Sequence, residues 1–389
     1  MEDRVKKIAN DLKDELKSLS EYIYNNPELG FEEFKSSKAH IDILKKYGFK
    51  VEEGYVGIKT AFRAEYDSKK SGPTIAYLSE YDALPGISHG CGHNLLGTTN
   101  TGAGIVLSKL LDEIGGKVVV FGTPAEETSG AKVDMVNQNA FDDVDIAMVA
   151  HPESRHLKSG ASLALNPLQF TFKGKAAHAA ASPEQGINAL DAAIATFNSI
   201  NALREHILPS ARIHGIIKEG GKAANIVPDL AITQFYVRTT TKKYMTELDD
   251  KVRNCAKAGA LATGAKLEIS YFENPYDNLV TNETLSRVYT KNLLALGVEK
   301  VYEPEYFPGS LDMGNISHVC PAIHPFFGIC EDGVEIPLHT VEFGKATLTE
   351  TAYDNMGKTI CALVLTAVDI IKDKELLNDI KEEFKKSEK

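Results

Sequence analysis

Apolar residues recur every three or four positions at the start of the chain, at Val5, Ile8, Leu12, Leu16, Leu19 and Ile23. That period predicts an amphipathic helix with one buried stripe, ending near Asn25 ahead of Pro27. A second helical segment is expected around residues 36–47. Three uninterrupted apolar runs follow, TIAYL (74–78), KVVVF (117–121) and DIAMVA (145–150). Short runs without polar alternation predict strands buried on both faces. Between them, residues 99–114 carry Ile105, Val106, Leu110 and Leu111 on one helical face, and residues 131–139 form a further helical pattern. Strand alternating with helix predicts an open α/β sheet. The three strands lead into SEYDALPG, GTPAEETSG and HPES. Polar residues thus gather at the C-terminal strand ends, where open α/β sheets bind ligands.

The pattern changes near residue 168. Strand LQFTFK (168–173), helix 186–207, strands RIHGII (212–217) and LAITQFYV (230–237), helix 246–262 and strand KLEISY (266–271) follow in turn. This βαββαβ order predicts a separate α+β sandwich of ferredoxin-like type. ENPYDN (273–278) supplies turn residues for a return to the first domain. A chain of 389 residues exceeds what one core usually serves. The expected division is therefore 1–168, 169–273 and 274–389, the first and third parts forming one α/β domain with a mixed sheet. A helix is expected at about 350–372, and KDKELLNDIKEEFKKSEK reads as a charged terminal helix or a frayed end.

Composition narrows the function classes. A formal net charge of -11, with no stripe of Lys and Arg interleaved with aromatics, argues against nucleic-acid and anionic-membrane partners. No apolar run reaches membrane-spanning length. The first 26 residues are charged throughout, without an apolar signal core or an Arg-rich transit pattern. Five cysteines, Cys91, Cys255, Cys320, Cys330 and Cys361, form an odd set without a CxxC. That usage fits a reducing compartment, and the expected location is the cytoplasm.

The candidate chemistry lies at the three strand ends. In SHGCGHN, Cys91 and His93 stand two apart, so in an extended loop both side chains point to one side, and flanking glycines free the backbone around them. A thiolate with an imidazole suits zinc, although an isolated Cys is also a common small core residue. Glu126 and Glu127 are adjacent carboxylates that repel in a dry site without a cation, so one could ligate a metal while the other takes a proton from activated water. Two solvated loop glutamates are the alternative. His151 arrives at the same edge, as a further ligand or as a cap for the next segment. Asp82 fits as an orienting partner of a ligating imidazole. In the second domain His178, Asn225 and Arg238 are the donor types that hold a carboxylate and stabilise an oxyanion. His339 could add a last ligand, or be a structural histidine beside Phe343.

Taken together, NPELGFEE (26–33), EYDALPGISHGCGHNLLGT, PAEE, GKAAHAAASPEQGINALDA, GGKAANIVPD, GSLDMGNISH and LHTVEF resemble the aminoacylase and carboxypeptidase-type dimetal amidohydrolases. Within them the chain is similar to the indole-acetyl-amino-acid and aminobenzoyl-glutamate hydrolases. The resemblance implies an open mixed-sheet catalytic domain of phosphorylase/hydrolase or zinc-peptidase type with an inserted lid that dimerises. It implies two divalent ions, zinc or manganese, held by Cys91, His93, Glu127, His151 and His339, with Glu126 as general base. It also places the counterparts of His178, Asn225 and Arg238 in the lid, where the histidine can reach a neighbouring subunit's site. Where the wider family has His-x-Asp this chain has Glu80-Tyr81-Asp82, so Glu80 stays outside the expected ligand set. Val341 replaces the proline of the last motif. His89 and His318 receive no assigned role. The implied reaction is hydrolysis of N-acyl amino acids, small peptides or aryl-amide conjugates. The competing readings are a cysteine-nucleophile hydrolase built on Cys91 and a non-catalytic binding protein on the same fold.

Overall fold

A computed structural model describes residues 1–304 and 309–387. Within them the chain divides into two compact units, one of residues 162–278 with Gly309 and Ser310, the other built from the segments on either side.

The first unit opens with α1 (Glu2–Asp11) and α2 (Lys13–Asn25), which bury Val5, Leu16, Leu19 and Ile23. The single expected helix is thus two, separated at Leu12. Next come α3 (Phe34–Lys46), β1 (Lys50–Glu53), β2 (Phe62–Asp67), β3 (Thr74–Ser79), α4 (His93–Ile114), β4 (Lys117–Gly122), α5 (Ala131–Asn137), β5 (Ile146–Met148) and β6 (His151–Glu153). Every position of β3 is buried, as its continuous apolar run predicts. The sheet order is β1-β2-β4-β3-β5 followed by a late strand, β11. Its β3, β4 and β5 pair in parallel while β1 and β2 are antiparallel, so the sheet is mixed. β1 and β2 do not show as apolar runs, because only one face of β2 is buried and β1 is exposed.

Helix α4 is buried over most of its length and starts six residues before the expected 99–114 segment. It packs against the sheet so closely that a Cβ at Gly104 would lie 2.3 Å from Val120 Cγ2. Glycine here serves close approach, at a cost in helix propensity.

The second unit holds β7 (Ala164–Lys173), α6 (Ala189–Leu203), β8 (Arg212–Glu219), β9 (Leu230–Thr239), α7 (Lys242–Thr263) and β10 (Lys266–Tyr271). Its sheet order is β10-β7-β9-β8, antiparallel throughout, which is the ferredoxin-like arrangement. Phe170, Phe172, Phe235 and Val237 face α6 and α7 and form a separate core. The unit begins at Ser162 rather than 169 because β7 starts at Ala164, paired with Thr239, and Leu165 pairs with Tyr276.

The chain then adds α8 (Glu283–Ala295), α9 (Met313–Ser317), β11 (Ala322–Ile323), β12 (Phe326–Gly328), α10 (Val341–Ala346), α11 (Glu350–Lys372) and α12 (Lys374–Lys386) to the first unit. β11 extends the sheet beside β5, and β12 pairs with β6. The charged tail is a helix, anchored by buried Ile380.

Candidate metal centre

The C-terminal ends of β3, β4 and β5 deliver Glu80 and Asp82, Glu126 and Glu127, and His151 to one edge of the sheet. Cys91 and His93 do not sit in an extended loop. Gly92 takes a left-handed conformation and caps α4, whose first residue is His93, and this turn sets the thiol and imidazole together. A Cβ at Gly92 would meet Pro152 Cγ at 2.6 Å, so only glycine fits. The loop carrying His339 joins the same place, its amide donating to Gly90 O at 2.8 Å. Asn100 on α4 holds the other arrival, exchanging hydrogen bonds with the Ala150 backbone just before His151.

Donor atoms of Cys91, His93 and His151 lie within 4.8 Å of one another, as do those of Cys91, Glu127 and His339. Cys91 belongs to both groups. A third group joins Glu80, His93 and Glu126. Cys91 Sγ is 3.5 Å from His151 Nε2, and His339 Nε2 is 3.3 Å from Glu127 Oε1. Asp82 holds one of these side chains and the backbone of another: its Oδ1 accepts from His93 Nδ1 at 2.9 Å and its Oδ2 from the Glu127 backbone amide at 2.9 Å. His151 Nδ1 donates to Pro152 O at 2.6 Å. Both rings therefore turn Nε2 toward the shared space, the arrangement carbonyl- and carboxylate-backed metal ligands adopt.

The donor set fits divalent metal. His93 Nε2 and Glu127 Oε1 are buried atoms without a well-formed hydrogen bond, which costs free energy unless a cation takes their lone pairs. One thiol, three imidazoles and a carboxylate are borderline-soft donors of the kind zinc accepts.

Electrostatics at the site are dominated by crowded carboxylates. Burial, and then the Glu127 and Glu80 charges, push the Glu126 carboxyl well above its usual range. Burial and Glu127 likewise raise the Cys91 thiol. Burial with the neighbouring His324 and His93 lowers His151 to about 3, which keeps it a neutral, lone-pair-bearing ring. His339 moves up through its contact with the Glu127 carboxylate. A fully buried Lys132 offsets part of the negative charge: Nζ lies 2.8 Å from Glu80 Oε1 and 2.5 Å from Asp312 Oδ1. Burial works against that ammonium, but Asp312 and Glu80 hold it charged. Two non-glycine residues of the site, Ala125 and His339, hold left-handed backbone at φ 62.

The remaining expected residues belong to the second unit. His178 is exposed, its Nδ1 accepting the Ala180 and Ala181 amides at 3.2 and 3.1 Å, so the ring presents an Nε2–H donor. Asn225 O accepts the Ala179 amide at 3.0 Å, which sets Asn225 beside His178. Arg238 donates to Ser310 Oγ at 2.9 Å and lies over the Tyr236 ring. His89, in the first unit, donates to Ile23 O at 3.1 Å and belongs to none of the three donor groups. Sequence reasoning missed Lys132, Asp312 and His324, whose ring stands 5.6 Å from that of His151. Only the tertiary fold shows them, since Lys132 and Asp312 are 180 residues apart.

The chain is similar to known proteins over most of its length. The M20 Peptidase dimerisation domain family matches residues 166–263. The Xaa-Arg dipeptidase of Mus musculus is 36% identical over 98% of this chain and 91% of its own length. A p-aminobenzoyl-glutamate hydrolase chain of Escherichia coli is 35% identical over 72% of this chain and 62% of its own. Among solved structures, a dinuclear metal binding peptidase of Bacillus subtilis has a TM-score of 0.69 at 21% identity, covering 93% of this chain and 99% of that one. A mixed-sheet domain with an inserted ferredoxin-like unit and this donor set defines a metal-dependent hydrolase of amide bonds. The chain belongs to the M20 family of peptidases.

Proposed function

We propose that the chain hydrolyses the amide bond of dipeptides, N-acyl amino acids or aryl-amide conjugates of amino acids, with two divalent ions held by Cys91, His93, Glu127, His151 and His339. The observation that carries this reading is the pair of donor triads sharing Cys91, with Glu126 in the turn beside them. When bound, the ions polarise the scissile carbonyl and lower the pKa of an attacking water. Glu126 takes the water proton and returns it to the leaving amine. Asp82 keeps His93 in the ligating tautomer. His178 supplies the Nε2–H donor to the tetrahedral oxyanion, and Asn225 and Arg238 hold the substrate carboxylate. Similarity to the Xaa-Arg dipeptidase and the p-aminobenzoyl-glutamate hydrolase supports substrates that end in a free amino-acid carboxylate. Zinc and manganese both suit the donors, and the second unit is the surface through which two copies pair. Five free cysteines support a cytoplasmic location. Among the described residues no helix is long and apolar enough to cross a membrane.

The test is a hydrolysis screen over dipeptides, acyl-amino acids and aminobenzoyl-glutamate, using metal-stripped protein reconstituted with zinc or manganese. Turnover restored by metal is expected. Chelator-resistant turnover abolished by thiol alkylation would support the cysteine-nucleophile reading built on Cys91, and binding without turnover would make the chain a binding protein.

A further inference from the structure

NPELGFEE (26–33) stands far from the donor groups in sequence and contributes no donor atom to them. In the fold it touches both carboxylate-bearing loops. The Glu28 carbonyl accepts the Ala83 amide at 2.8 Å, next to Asp82. The Glu28 carboxylate accepts the Lys35 and Ser36 amides at 2.9 Å, capping α3 and fixing where the segment leaves that helix. Gly30 lies so close to the second loop that a Cβ there would come within 2.7 Å of Thr128 Oγ1 and 2.9 Å of Ala125 Cβ. Glu33 is fully buried, and its Oε1 accepts the Ala125 amide at 2.8 Å. Ala125 is the residue at φ 62 immediately before Glu126, so the direction of its amide and the placement of Glu126 are linked through one strained residue.

Resting on the hydrolase reading above, we propose that residues 28–33 are a clasp on the Pro124–Glu127 turn and that Glu33 is a positioning residue for Glu126. A non-glycine residue at positive φ is held there only when its surroundings over-determine it. The Glu33 hydrogen bond and the Gly30 contact are two such constraints, and both act on Ala125. Burial and the Asp82 carboxylate push Glu33 up to about 7, so below that pH the carboxyl is mostly protonated and a neutral amide is close to it in charge and shape. The role is therefore geometric, and glutamine fulfils it.

Hydrogen exchange of the 122–130 segment reads the clasp without reference to turnover, alongside kcat, KM and bound metal for Glu33→Ala, Glu33→Gln and Gly30→Ala. In Glu33→Ala, losing one buried hydrogen bond should speed exchange of the turn and lower kcat by about tenfold each, with KM and metal content held within about twofold. Glu33→Gln should restore both readouts. Unchanged exchange in Glu33→Ala overturns the clasp, and so does a glutamine variant as impaired as the alanine one. If Glu33→Ala does not fold, Gly30→Ala decides: faster exchange at the turn supports the clasp, and wild-type exchange overturns it. Wild-type protein without amide turnover, but with exchange changed as expected, removes the hydrolase reading and leaves the clasp in place.

Discussion

Glu126 and Cys91 are neighbours in space with separable duties, and single substitutions separate them. Glu126→Ala should keep its metal and lose roughly 10²–10⁴ of kcat, the range a positioned general base supplies. Elemental analysis beside initial rates checks this, and near wild-type turnover rejects the base assignment. Cys91→Ala removes a donor common to both triads, so metal content should fall with rate. Lys132 belongs to a third kind. Its ammonium is buried between Glu80 and Asp312, and Lys132→Met leaves two carboxylates without their cation. A loss of about 3–5 kcal/mol in denaturant unfolding is expected, well above the effect of the chain's many exposed ion pairs. The fully buried Asp82 accepts a hydrogen bond from His93, 11 residues along the chain, a separation short enough for the pair to be proposed from sequence.

Elements explain how these side chains are held. α4 runs from the site to the far end of the sheet, and Gly104 lets it lie against Val120 of β4. Gly104→Ala should cost about 1–3 kcal/mol through overpacking, read as a lower unfolding midpoint. Acid sensitivity also belongs to packed elements. Burial lowers His40 on α3 to about 3 and His156, beyond β6, to about 4, against an unfolded value near 6.5. Between pH 6.5 and about 4 the unfolded chain binds the extra protons, so these two groups make stability fall as pH drops. His40→Gln should flatten that dependence in unfolding curves taken from pH 7 to 4, and an unchanged slope rejects the assignment. β3, β4, β5 and the βαββαβ order were legible because apolar runs and helical periods are local. β1, β6, β11 and β12 were not, being short or exposed strands whose pairing partners define them.

For the molecule as a whole, association is the property to test. β8 is an edge of the antiparallel sheet, with Ile216 60% and Ile217 42% exposed. An apolar edge of this kind invites pairing with a second copy. Sedimentation should show a dimer, and Ile216→Lys combined with Ile217→Lys should shift it toward monomer while the second unit keeps its own core.

The sequence by itself determined β3, β4 and β5 with helices between them, the βαββαβ order, the change of architecture near residue 168 and the candidate donors, because periodicity and side-chain chemistry are written in consecutive residues. Tertiary structure decided which donors meet. The pairing of Lys132 with Asp312 spans 180 residues and that of Glu33 with Ala125 spans 92. No local pattern encodes such contacts. They exist only once parallel strands bring their C-terminal ends to one edge and buried charges must find partners there.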